Sequence, residues 1–289
     1  MNGTPWWRRL LSVFEPGEGR GGTSSRASSA GSPGKGARAA RPAGAPRPGQ
    51  PKGRPGRLAS IDPALPVLGL AVTRSGWVGA VLDPSGHGTP HLVDGVTLEE
   101  VVAAAGTVTV VALDVPVGLP DEGRRAADVA ARKELGGQAS AVLTTPVREA
   151  VYAATFGEAN AISREKVGSG LSQQAYGLRR RIMEVDAYVR QDLPFRLVEV
   201  VPELVYTDLS GTPLTSRRGS AEGSRQRREA LATAGLYAPT QAPVGVATDS
   251  MLDACAAALT AHRVKNGQAR SIPDEPETYS DGITAAIRV

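Results

Sequence analysis

From Met1 to Ser60 the chain carries too few apolar side chains to build a core, and from Val67 onward it carries many, so this break decides where folding can occur. The first sixty residues hold 12 Gly, 8 Pro and 11 Arg or Lys against Glu15 and Glu18 alone, a net charge of +9. Ordering such a segment costs roughly 1–2 kcal/mol per residue in backbone entropy with little burial to offset it. The composition therefore predicts a disordered basic tail over 1–60 and one folded domain over 61–289. The whole chain has 33 basic and 29 acidic residues, so subtraction leaves 22 and 27 for the domain, a net charge of −5. The basicity of the chain thus belongs to the tail, and the domain is not itself a basic platform for nucleic acid.

Within the tail, Trp6-Trp7-Arg8-Arg9-Leu10-Leu11-Ser12-Val13-Phe14 pairs aromatics with cations and could touch a membrane surface or a partner. It is too short to span a bilayer, and its charges are poorly ordered for a secretory signal. The remaining tail charge would give salt-sensitive attraction to nucleic acid or anionic lipid. Cys255 is the single cysteine, which excludes an intrachain disulfide or a thiolate metal cage, and the cytoplasm is the default location. His87, His91 and His262 are far apart and show no zinc-like spacing.

The domain opens with short apolar runs divided by turn residues. Val67–Thr73, Trp77–Leu82 and a short run near His91–Val93 read as an antiparallel meander. Leu98–Ala105 reads as a helix, and Val108–Leu113 as a strand buried on both faces. Asp121 is placed to cap a helix running to Leu135, with Gly136-Gly137 to end it. Ala175, Leu178, Ile182, Val185 and Val189 are spaced 3, 4, 3 and 4, which predicts one long helix after Ser172. A strand over Phe195–Val201, helices over Ala221–Ala234 and Ser250–Lys265, and an edge strand over Ile283–Val289 complete the pattern. Three antiparallel strands, a helix, a strand, helices, a strand and a terminal helix is the order of an α/β, ribonuclease-H-like mixed sheet flanked by helices.

Several strings, read in order, carry a resemblance. They are Ser75-Gly76-Trp77-Val78, Leu113-Asp114-Val115-Pro116-Val117-Gly118-Leu119-Pro120, Gly123-Arg124-Arg125 with Asp128 and Arg132, Thr145-Pro146-Val147-Arg148, Leu171-Ser172-Gln173-Gln174-Ala175 through Asp186, Glu199-Val200-Val201-Pro202-Glu203, and Asp249 to Asp253. Together they resemble the bacterial domain of unknown function family 429, whose members are described as predicted ribonuclease-H-like nucleases. The resemblance implies carboxylates gathered at one end of the sheet, Mg²⁺ or Mn²⁺ as cofactor, and metal-dependent phosphodiester hydrolysis. It offers Asp114, Glu199, Asp249 and Asp253 as catalytic residues, with Asp114, Asp249 and Asp253 as metal ligands and Arg148 and Gln174 for substrate.

One departure stands out. The strand-one aspartate of the superfamily corresponds here to Ala71, which supplies no oxygen, so nuclease activity is expected to be impaired. Asp83, at the end of the second strand, is either a substitute ligand or a turn residue with Pro84. The other candidates also have plain structural readings. Asp249 could be a helix N-cap, Asp253 could complete a capping box with Ser250, Glu199 could face solvent, Arg148 could form a surface ion pair and Gln174 could help cap a helix. The alternative to a nuclease is therefore an inactive ribonuclease-H-like binding protein that uses its basic tail to contact nucleic acid or membrane. A small-molecule kinase is disfavoured because no glycine-rich phosphate loop joins a strand to a helix.

Overall fold

The computed structural model describes residues 53–289. The readings made for residues 1–52, including Trp6–Phe14, lie outside the described residues. Residues 53–60, grouped with the tail by composition, run along residues 189–196 of the domain. There the Gly56 amide donates to Val189 O at 3.0 Å, the Arg57 amide to Asp192 Oδ1 at 2.8 Å, and Arg196 Nε to Ala59 O at 3.0 Å.

The apolar runs at the start of the domain pair as anticipated. Strands β1 (Val67–Val72), β2 (Trp77–Leu82) and β3 (His91–Gly95) form an antiparallel meander. Strands β4 (Val110–Leu113) and β5 (Arg196–Val200) run parallel to β1, and β7 (Thr284–Arg288) runs parallel to β5. Strand β6 (Ser271–Thr278) closes the far edge antiparallel to β7. The result is an α/β fold built on one mixed seven-stranded sheet of order 3-2-1-4-5-7-6. The terminal run anticipated as the edge is thus internal. The true edge, β6, escaped notice because Pro273 and Pro276 and three acids break its apolar pattern, and an edge position tolerates proline because it needs no complete ladder of amide donors.

Helices cover both faces. Helix α1 (Leu98–Ala105) begins with a capping box between Thr97 and Glu100. Helix α2 (Ala126–Leu135) starts five residues later than its expected cap, because Asp121 accepts the Ser280 amide instead. Short helix α3 (Arg148–Val151) and α4 (Phe156–Val167) follow. The long helix anticipated after Ser172 is split into α5 (Gln173–Gly177) and α6 (Arg179–Tyr188), with the break beside Gly177, a weak helix former. Helices α7 (Pro202–Ser210), α8 (Ala221–Thr233) and α9 (Thr248–Lys265) complete the chain before β6. No helix among the described residues is long and apolar enough to cross a membrane.

Side chains alternate across the sheet. Val67 and Ala71 of β1 face α9, while Leu68, Leu70 and Val72 pack with Trp77, Val101 and Ile182 on the opposite face. Helix α9 is buried around most of its circumference from Ser250 to Ala261 and is rich in alanine, so it lies directly on the strands. Gly69 makes this approach possible. A methyl group there would lie 2.6 Å from the Ala257 carbonyl carbon and closer still to Ala258 N and Ala254 O, all backbone atoms with no rotamer to yield. Cys255 fills the same layer as a small buried hydrophobe, and burial pushes its thiol up to about 12. Gly69→Ala is therefore expected to cost at least ~3 kcal/mol, at or beyond the upper end of ordinary overpacking, read as a lower urea midpoint with an unchanged slope.

Candidate functional site

Because β1, β4 and β5 are parallel, their carboxyl ends meet at one edge of the sheet, where α/β sheets commonly bind ligands. The Asp114 amide donates to Leu70 O at 3.2 Å, directly after the Leu70–Leu113 pair, so Ala71 and Asp114 stand side by side on the α9 face. The position at which the resemblance expects a strand-one carboxylate is thus the methyl group of Ala71, beside Asp114. Ser250 Oγ donates to Val72 O at 3.2 Å and fixes the start of α9 to the same strand end. Asp253, one turn along, is fully buried. Asp83 lies at the other edge, since Leu82 pairs with Val67 at the beginning of β1. Its Oδ1 accepts the Ser85 amide at 3.0 Å, so it is a turn residue and cannot stand in for Ala71.

Glu199 pairs with Leu113 and therefore points to the opposite face from Asp114. It does not face solvent. It accepts the Val117 amide at 2.8 Å and forms a close ion pair with Arg125, whose side chain is fully buried. Arg125 also meets Asp128 at 3.5 Å and Thr145 Oγ1 at 3.3 Å, and Asp128 in turn accepts the Thr145 amide at 2.6 Å. Burial pushes the Glu199 carboxyl up to about 7 against the pull of Arg125. For Arg125, burial works against the charge, and Glu199 and Asp128 more than offset it. Glu199 thereby holds the loop that follows Asp114 in place.

The remaining acids meet arginines from α8 and from the connection before it. Arg218 forms a close ion pair with Asp253 and lies 3.7 Å from Asp249. Asp249 is not the cap of α9, a position held by Ala247; its Oδ1 accepts the Ser250 amide at 3.0 Å. Asp253 sits too far inside the helix to join a capping box. Glu203, at the start of α7, pairs with Arg227 at 2.6 Å, and Arg227 lies over the Tyr206 ring at 5.2 Å. Glu203 Oε2 and Asp253 Oδ1 are buried and accept no hydrogen bond from the described residues. Burial pushes Asp114 up to about 7, with Arg218 pulling down and Glu199 and Glu203 pushing up.

At this end of the sheet lies a cavity of about 40 Å³, room for a few water molecules and far too small for a nucleotide. Asp114, Glu199, Gln174, Asp128 and Arg218 line it. Arg148 does not; it is held by Asp186 and Asp281, a cluster that Arg190 and the Tyr152 hydroxyl complete. A pair of divalent cations needs several converging oxygen ligands. Among the described residues no three His, Cys, Asp or Glu side chains are grouped so as to hold a metal ion. With Ala71 beside Asp114, Glu199 on Arg125, and Asp249 and Asp253 on Arg218, the residues as arranged do not fit such a pair.

A family model described as "Protein of unknown function (DUF429)" matches residues 62–278. The chain belongs to this family. Searches of curated proteins and of solved structures returned no match. The DUF429 match spans every element from β1 to β6, while β7 lies beyond it although it separates β5 from β6 in the sheet. Within this DUF429 domain, Gln174, Asp114 and Glu199 from the sequence reading reach one cavity, and Asp249 and Asp253 join it through Arg218. Sequence reasoning passed over Glu203, Arg125, Asp128, Arg218 and Arg227 as site residues. Glu203, Arg125 and Asp128 sat within strings already singled out. Arg218 had no local signal, since its partners lie more than thirty residues away.

Two outcomes follow from these pairs. Arg125→Met leaves Glu199 buried without its counter-ion, and should cost about 3–5 kcal/mol in urea unfolding, with part recovered in Arg125→Met/Glu199→Gln. The raised Asp114 value means that between about pH 4 and pH 7 the folded chain keeps a proton that the unfolded chain has lost. Its contribution is full below that window and is lost as pH rises through about 7. Unfolding curves across that range should therefore show stability falling with pH, and Asp114→Asn should flatten the fall by on the order of a few kcal/mol. Glu199 and Asp128, also raised, leave a residual slope.

Proposed function

We propose that this chain is a ribonuclease-H-like binding protein, in which two-metal phosphodiester hydrolysis has lapsed and the basic N-terminal segment supplies attraction to polyanions. The observation that carries the reading is the placement of Arg218 against Asp249 and Asp253 while Ala71 stands beside Asp114. The bridging carboxylate is gone, and the acids on α9 are balanced by a side chain. The charge division supports the second half: +9 lies in residues 1–60 and −5 in the domain, so a polyanion meets attraction from the segment alone.

A second reading, a working metal-dependent nuclease, draws support from one specific feature. Glu203 Oε2, whose carboxylate bears on Asp114, and Asp253 Oδ1 are buried oxygens without a hydrogen-bond donor among the described residues, and such atoms suit a hard cation. It would require Arg218 to leave Asp253.

The two are separated with the full chain and labelled single-stranded and duplex oligonucleotides. The binding reading expects no Mn²⁺- or Mg²⁺-dependent cleavage, and an affinity that weakens roughly a hundredfold or more between ~50 and ~200 mM salt. Cleavage that needs Mn²⁺ and disappears in Asp114→Asn would replace it with the nuclease. Absence of salt-sensitive binding would remove the polyanion as partner.

A further inference from the structure

We infer that Arg218 is a built-in counter-cation of the carboxylate end, a side chain doing for Asp249 and Asp253 what a divalent cation would otherwise do. The inference rests on the binding reading above and concerns how that site is held. A carboxylate buried as deeply as Asp253 strongly destabilises a fold unless an opposite charge meets it. Asp249 and Asp253 are four residues apart on α9 and so present their oxygens to one side, where a planar guanidinium can address both. One positive charge serves there because, Asp114 apart, the neighbouring acids have partners of their own. Glu203 is paired with Arg227, Glu199 with Arg125, and the strand-one position is the methyl group of Ala71.

The arginine is presented by a defined turn. Residues 211–220 join α7 to α8, and Ser220 caps α8 by accepting the Gly223 amide at 3.0 Å. Both the Ser220 amide, at 3.0 Å, and its hydroxyl, at 2.8 Å, donate to Arg217 O. The turn is tucked so tightly against the first turn of α8 that a methyl group at Gly223 would lie 2.8 Å from the Arg217 carbonyl carbon and nearer to its oxygen. Upstream, Leu214 O accepts from Gln138 and the Ser216 amide donates to Gln226 Oε1 at 3.2 Å. Arg218 is thus held on both sides of its own position, and Gly223 is required for that hold although it touches no carboxylate.

The test is a double-mutant cycle on the full chain, read by thermal unfolding with and without Mn²⁺. Arg218→Met should lower Tm by roughly 6–15 °C, the effect of leaving a buried carboxylate unpaired in a domain of this size. Arg218→Met/Asp253→Asn should recover at least half of that loss. Mn²⁺ should raise the Tm of Arg218→Met and leave the parent unchanged, and Gly223→Ala should show the same gain of Mn²⁺ response with every charge intact. Should Arg218→Met fail to fold, recovery of folded protein in the double variant decides the matter. Additive losses in the cycle, or a parent whose Tm rises with Mn²⁺ as much as that of Arg218→Met, would overturn the inference. Failure of the cycle removes the arginine from the argument and leaves the binding reading on Ala71 and the charge division, whereas Mn²⁺-dependent cleavage by the parent removes that reading whatever the cycle shows.

Discussion

The whole arrangement depends on α9 lying in direct contact with β1 at Gly69. That contact brings a helix backbone within the reach of a strand backbone, and every larger side chain at either surface would force them apart. The alanine content of α9 follows from the same constraint. Once the helix is seated, Ser250 meets the end of β1, and Asp253, one turn further on, is fully buried. The position of the acids is therefore a consequence of backbone packing, and their charges must be dealt with where that packing leaves them.

The fold deals with them by arginine. Arg125 answers Glu199, Arg227 answers Glu203, and Arg218 answers Asp253 and Asp249. Buried ion pairs of this kind add little to stability compared with apolar packing, but removing one partner is severe, so the three arginines and their acids constrain one another. Asp114 has Arg218 near but no ion pair of its own among the described residues, and burial raises it to about 7. Glu199, Glu203, Asp249 and Asp253 are thus each met by an arginine of the chain itself.

A second ionic group works at a distance from this edge. Arg148 and Arg190 hold Asp186 of α6 and Asp281 of the β6–β7 turn, with Tyr152 donating to Asp186. The charge that made Arg148 look like a phosphate ligand is spent on joining three elements. A guanidinium in a proline-containing loop reads the same from sequence whether its partner is a ligand or the chain itself.

What the sequence determined by itself was whatever depends on neighbouring residues. Strands β1, β2, β4 and β5 follow from apolar runs and turn residues, the helical stretch of α5 and α6 from periodicity, and the charge division from composition. The family strings also named Asp114, Glu199, Asp249, Asp253 and Gln174 as residues that converge on one edge. The tertiary structure decided what each of them faces. Strand alternation puts Asp114 and Glu199 on opposite sides of the sheet, register puts Ala71 beside Asp114, and strand direction removes Asp83 to the other edge. Arg218 reaches Asp253 across thirty-five residues of chain, and β6 is a strand only because β7 lies next to it. Pairings of this kind are set by which backbones can approach one another, and a local pattern carries no record of them.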